Sequence, residues 1–279
     1  MSRQLVDFKC PPRLVLPSLL AISRNIGDWA SIQDSIIGQA RRVQLRAKEE
    51  TIVSAYVTPT LRNLRLIEGE AGKMHLSSDG TQCLVEYRSK GLDGFKLRLG
   101  LQLILVDSES SLLIPHMLRN HCSRDSAVAI DQLRMYLRSQ GVEGADGGTR
   151  LSYWMAFLRH VELVILLNAR YYIVGSQYNA MKRGEPRVPD MRFLDVLKKE
   201  YRRLLAGTYG SPYVPIPDVR EAVCNDLGIS SFAFKRRLID LTFLGTRANL
   251  PRIVLATPMR KKPYGLRIGR KYYYFLAIF

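Results

Sequence analysis

The sequence predicts an α+β chain, mostly helical, built from three tandem units, and two observations predict it. The first is a seven-residue pattern, Leu-x-x-Φ-x-Φ-Φ with Φ apolar, at Leu61–Ile67, Leu158–Val164 and Leu238–Leu244. Its period-3 part belongs on the buried face of a helix end, and its closing pair starts an extended segment. The second is a turn-like stretch after each copy, leading to another strand-like run at Lys73–Leu76, Tyr171–Val174 and Arg267–Phe275. Helix, strand, turn and strand recurring in this way is an internal repeat, and a repeat decides the architecture. The expected domains are 1–91, 92–178 and 179–279.

In the first domain, Pro17 opens a helix through Asn25, with Leu19, Leu20 and Ile22 buried, because the missing proline N–H has no intrahelical partner at a helix start. Ser31 is placed to cap a helix through Gln44 and Thr51 one through Leu64. Leu66-Ile67 and Lys73–Leu76 then form a hairpin. The Ser77–Gly80 cluster ends it and caps a trailing helix through Arg88.

Gly91–Gly94 reads as a junction. The second domain carries helices at Phe95–Val106, Ser111–Asn120 and Ser126–Ser139, then a glycine-rich loop at Gly141–Gly148. Thr149 is placed to cap a helix through His160. A hairpin of Leu163–Leu167 and Arg170–Val174 turns at Asn168-Ala169. Gln177–Pro189 is polar, contains two prolines, and reads as a linker. In the third domain a helix spans Met191–Leu205. Asp218 with Glu221 looks like a capping box, and that helix stops at Gly228, a favoured residue just past a helix end. Ser230 caps the next helix, through Leu241, and extended segments at Ile253–Ala256 and Leu266–Ile278 come last.

Lys+Arg exceed Asp+Glu by 42 − 25 = +17. Such an excess suits a polyanionic partner, through phosphate neutralisation and counterion release, although solubility by self-repulsion produces the same sign. The charge is uneven. From Pro186 onward there are 18 Lys+Arg and 7 Asp+Glu, and the 39 residues after Asp240 contain no acid at all. A nucleic acid is the partner this unevenness favours.

Other chemistries find little to stand on. Cys10, Cys83, Cys122 and Cys224 are far apart with no C-x-x-C, which argues against a disulfide framework or a zinc ribbon and for free thiols in a reducing cytosol. No run reaches ~18 uncharged apolar residues, so no membrane span is expected. Leu14–Ile22 is short, contains Pro17, lacks a small-residue cleavage site, and reads as a core helix and not as a signal peptide. His116, His121 and Cys122 are close in sequence but match no standard ligand spacing. Gly144–Gly148 lacks the Lys-Ser/Thr of a phosphate-binding loop. Asp79, Glu86 and Arg88, or Glu68, Glu70 and Lys73, are at most degenerate relatives of a nuclease metal site. The expectation is a non-enzymatic protein without cofactor or metal.

The most specific stretch is Asp218–Leu241: helix, tight turn at Leu227-Gly228-Ile229, helix. This is helix-turn-helix punctuation, in which the second helix enters the major groove with its early residues at base edges. Phe234, Leu238 and Leu241 take the core side. Ser231, Lys235, Arg236 and Phe232 are left for the outside, where Arg and Lys suit guanine edges and phosphates. An ordinary helical hairpin with a solvated basic face gives the same pattern. Arg260, Lys261 and Lys262 would sit at a hairpin tip, with Arg267, Arg270 and Lys271 along it, suited to phosphates or a minor groove. Tyr272–Tyr274 alternate between core and surface.

This pattern resembles the winged-helix superfamily: three helices, then a two-stranded wing. The resemblance covers nearly the whole chain as three copies. It is good over Asp218–Phe279, fair over Pro17–Arg88 and weaker over Phe95–Val174. Tandem winged helices occur in the DNA-recognition halves of some restriction endonucleases, in transcription and replication factors, and in subunits of prokaryotic defence complexes. The resemblance implies duplex-DNA binding by the third domain, in a cytoplasmic, nucleoid-associated protein that serves a larger complex. Because many winged helices bind proteins instead, a module docking an effector ATPase or nuclease, through an apolar face at Trp154, Tyr171 and Tyr172, is the alternative.

Overall fold

A computed structural model describes residues 4–70, 73–119, 128–144, 148–167, 169–208, 210–244, 251–259 and 265–279. The fold is α+β, mostly helical, with small antiparallel sheets. Two compact units divide the chain, Met1–Val174 and Gly175–Phe279.

In the first unit, a 3-10 turn at Pro12–Leu14 leads into α1 (Val15–Arg24), so Pro17 is the third helical residue and not the first. Leu19 and Ile22 are buried, whereas Leu20 is half-buried. The cap of α2 (Trp29–Arg42) is Asp28, whose carboxylate accepts from Ser31 N at 3.1 Å and from Ser31 Oγ at 2.6 Å. Ser31 is thus held by the cap it was expected to supply. The next helix begins at α3 (Glu49–Thr51), widens into a π-helical stretch at Ile52–Val57, and continues as α4 (Thr58–Asn63). Pro59 explains the widening. It has no N–H to offer and its ring crowds the carbonyl four residues back, and Thr58 N reaches five residues back to Val53 O.

Strands β1 (Ile67–Glu68) and β2 (His75–Leu76) pair antiparallel, Ile67 opposite Leu76. Ser77 then caps α5 (Ser78–Ser110), accepting from Gly80 N at 3.0 Å. The expected trailing and core helices are the two arms of α5, bent where Gly91 takes φ 67 and ψ −154, a conformation that needs the missing Cβ. α6 (Leu113–Arg119) comes next. Val128–Ala129 form a strand, β3, and not a first helical turn, because they pair with Tyr171 and Arg170; α7 (Ile130–Ser139) starts after them. α8 (Gly148–His160) leads to β4 (Val164–Leu167) and β5 (Arg170–Ile173), giving a sheet of order β3-β5-β4.

One compact unit thus spans the residues of the first two expected domains, and residues 4–8 show why. Phe8 packs at 4.7 Å from both Trp154 and Phe157, Trp154 Nε1 donates to Val6 O at 2.9 Å, and Leu5 N donates to Glu143 O at 2.9 Å. Arg65 pairs with Glu109, and Asp79 with Arg98 at 2.5 Å, across the expected boundary.

The second unit opens with a helix, α9 (Gly175–Arg183), where a linker was expected. Its Ser176, Gln177, Ala180 and Met181 are buried, so half of the polar stretch is an ordered element. α10 (Asp190–Leu205) precedes a two-residue strand, β6 (Val214–Pro215). α11 (Ile216–Leu227) begins earlier than the Asp218–Glu221 pair suggests: Pro215 is its cap, Asp218 its third residue, and Glu221 accepts from Ser176 Oγ at 3.0 Å. It ends at Gly228, left-handed at φ 67, ψ 21. Ser230 caps α12 (Ser231–Leu244), its Oγ accepting from Ala233 N at 3.1 Å. β7 (Ile253–Ala256) comes next. The expected long strand 266–278 is broken into a separate hairpin, β8 (Leu266–Ile268) with β9 (Lys271–Tyr273), and a core strand, β10 (Phe275–Ile278). The main sheet has order β6-β10-β7, and Phe193, Leu197, Val219, Val223, Phe234, Leu238 and Leu276 are buried together in the core beside it.

Candidate nucleic-acid interface

Helix α12 carries the candidate reading face. Phe234 and Leu238 are fully buried and Leu241 is 9% exposed, which sets the helix's inward side. Lys235 and Arg236 point outward, and neither has an ion-pair partner among the described residues. Arg237, next in line, is spent on the fold: its guanidinium reaches Asp190 at 3.2 Å and Val188 O, and lies 5.6 Å over the Phe193 ring. Asp240 is exposed on the same helix.

Two expected outward residues are not outward. Ser231 is 5% exposed, because its N–H and hydroxyl both donate to Gln177 Oε1 at 3.0 Å, and Phe232 is 3% exposed. Helix periodicity alone cannot see a cover supplied by a distant segment. Gln177 and Glu185, which grip this turn, carry no signal in the sequence beyond lying in a polar stretch.

The second basic element is the β8–β9 hairpin. Arg267, Arg270 and Lys271 are exposed, and the strands close at Gly269-Arg270. Tyr272 and Tyr274, like Tyr273, are half-buried, so the three do not alternate; Tyr273 packs on the core and Tyr272 OH accepts from Gly265 N at 2.7 Å. Arg260, Lys261 and Lys262 lie outside the described residues.

Elsewhere several titratable groups are engaged in pairs. Asp79 pairs with Arg98 at 2.5 Å and Glu86 with Lys90 at 2.8 Å. Glu68 lies 3.9 Å from His75. Burial pushes the Cys10 and Cys83 thiols up to about 12 and raises that of Cys224, which keeps all three protonated and poorly nucleophilic at neutral pH. Among the described residues no three His, Cys, Asp or Glu side chains gather to hold a metal, and His121 and Cys122 lie outside them. No described helix is long and apolar enough to cross a membrane.

Comparison with known proteins returns nothing: no family model, curated protein or solved structure matches this chain.

Proposed function

We propose that this chain is a non-enzymatic duplex-DNA-binding protein of tandem winged helices, the recognition subunit of a larger prokaryotic complex in defence, restriction, transcription or replication. One observation carries the reading. In both units a short strand precedes two helices, two four-residue strands that pair antiparallel come after them, and the short strand pairs with the last: β3-β5-β4 in the first, and in the second β6-β10-β7, with the β8–β9 hairpin inserted between β7 and β10. This repeated connectivity supports a winged-helix reading. In the second copy the helix before the hairpin presents Lys235 and Arg236 to solvent, as a groove-reading helix does. The excess of positive charge after Pro186 supports the same partner.

The test is a salt titration of duplex binding by fluorescence anisotropy. Several phosphate contacts should lower affinity by roughly 10³-fold or more between ~50 and ~200 mM salt. Failure of the pure protein to bind duplex at low salt removes the reading.

The first unit favours a second role. The β1–β2 turn carries Glu68 and Glu70 against one lysine, Lys73, and the β4–β5 hairpin only Arg170, a poor match to phosphate. This supports a docking role for that unit, toward a partner ATPase or nuclease. The surface suspected for it loses its main residue, since Trp154 is buried against Phe8, while Met135 on α7 is 62% exposed.

A further inference from the structure

The first turn of α12 is already held by the chain that precedes α10. Gln177 accepts from Ser231 N and from Ser231 Oγ, each at 3.0 Å. Glu185 accepts at one carboxylate oxygen from Ser230 N at 3.0 Å and from the Ser230 hydroxyl. Farther along, Val188 O and Asp190 take the guanidinium of Arg237. At the other end, Ser176 Oγ donates to Glu221 Oε2 at 3.0 Å, which ties the segment to α11. Residues 176–190 therefore grip the helix at Ser230, Ser231 and Arg237.

In a helix-turn-helix the early residues of the second helix meet base edges. Here Ala233 and Phe234 face the core, and Ser230 and Ser231 are buried against Glu185 and Gln177. The amide and hydroxyl of Ser231 cannot turn to a base while both donate to Gln177. Only the second turn, with Lys235 and Arg236, is open. Reading by the first turn and occupancy by the segment exclude each other.

We propose that residues 176–190 are an autoinhibitory strap, which must release Ser230 and Ser231 before duplex DNA engages the first turn of α12. The proposal rests on the DNA-binding reading above. Its hold on the first turn is polar, the amide and hydroxyl of Ser231 on the Gln177 amide oxygen and those of Ser230 on the Glu185 carboxylate. Ala180 and Met181 are buried and Val188 sits in the core, so the release is a local opening at Ser230 and Ser231. A ligand that needs the released form binds more weakly by the fraction of molecules released, so loosening the grip tightens binding. Gln177 is the informative position. It is neutral, so replacing it changes the grip without changing the field felt by DNA, whereas removing Glu185 changes both.

The experiment measures duplex binding by anisotropy at one low salt concentration for the full chain and for Gln177→Ala, with thermal melts alongside. Gln177→Ala should remain folded and bind about tenfold tighter. Hydrogen exchange on the unaltered chain is the second readout: added duplex should speed exchange at residues 176–190 and slow it in α12. A folded Gln177→Ala that binds no tighter overturns the strap, as does exchange at 176–190 that stays unchanged or slows on adding duplex. Absence of duplex binding by the unaltered chain is the separate outcome that fells the DNA reading, and the strap with it.

Discussion

Lys235 and Arg236 are the side chains whose removal should cost function without costing stability. Both are exposed on α12 and neither is engaged in an ion pair among the described residues. Replacing both by Ala should lower the salt slope by roughly one per lost phosphate contact, or relax sequence preference at ~1–3 kcal/mol per lost base contact. Leu238→Ala is the contrast, since Leu238 is fully buried: it should destabilise by ~2–5 kcal/mol through a cavity. A salt titration and a urea melt of each variant separate the two behaviours. An unchanged titration for the double variant removes α12 as the reading helix. Two other residues in the first unit should oppose each other with pH. Burial, against hydrogen bonds from Ser111, Ile114 and Leu113, pushes the Asp107 carboxyl up to about 6. The folded state then holds a proton that the unfolded chain, near pKa ~3.9, has lost. That stability is complete at the acid end and disappears as pH rises through about 6. Burial, aided by Lys96 and Arg13, holds His160 down to about 4, so the unfolded chain binds the extra proton and stability falls as pH drops from ~6.5. The two windows overlap. Asp107→Asn should steepen the loss of stability on acidification and His160→Gln should reverse it, read from urea midpoints across the window. Parallel slopes for the two variants would contradict both assignments.

Among the elements, helix ends were the most legible in sequence, and the reason is visible in the backbone. In the first two copies of the seven-residue pattern the fifth residue, Arg65 or Glu162, is left-handed at φ 59. The sixth then donates back to the first, Leu66 N to Leu61 O and Leu163 N to Leu158 O, both at 2.9 Å. This closes the last carbonyls of the helix and turns the chain into a strand. The third copy matches in spacing and fails in structure: Leu238–Leu244 stays helical to its end, with Thr242 Oγ1 donating to Leu238 O at 2.7 Å. Apolar spacing marks a buried helix face, but does not say whether the left-handed turn comes after it. The same limit applies to α9. Its sequence is polar because its groups are used in pairs, Ser176 with Glu221 and Gln177 with Ser231, and no local periodicity encodes partners about 50 residues away. Ser231, chosen for an outward role from helix spacing, is covered for that reason, whereas Lys235 and Arg236, chosen by the same spacing, are exposed.

At the scale of the whole chain, the contacts hardest to read are those that join Phe8 to α8, some 146 positions along. A repeat of three units suggests three separate cores, yet residues 4–8 are bound into the core around Trp154. Phe8 is fully buried between two aromatic rings, so Phe8→Ala removes both area and ring contacts and should cost ~3–5 kcal/mol. The readout is selective, because both tryptophans, Trp29 and Trp154, belong to the first unit. Urea unfolding followed by tryptophan fluorescence should therefore shift to a lower midpoint by that free energy divided by the denaturant slope. The salt slope of duplex binding, which depends on Lys235, Arg236 and the basic hairpin of the second unit, should keep its value at low urea. A fluorescence midpoint unmoved by Phe8→Ala would mean that the first residues are a tail laid on a domain that folds without them.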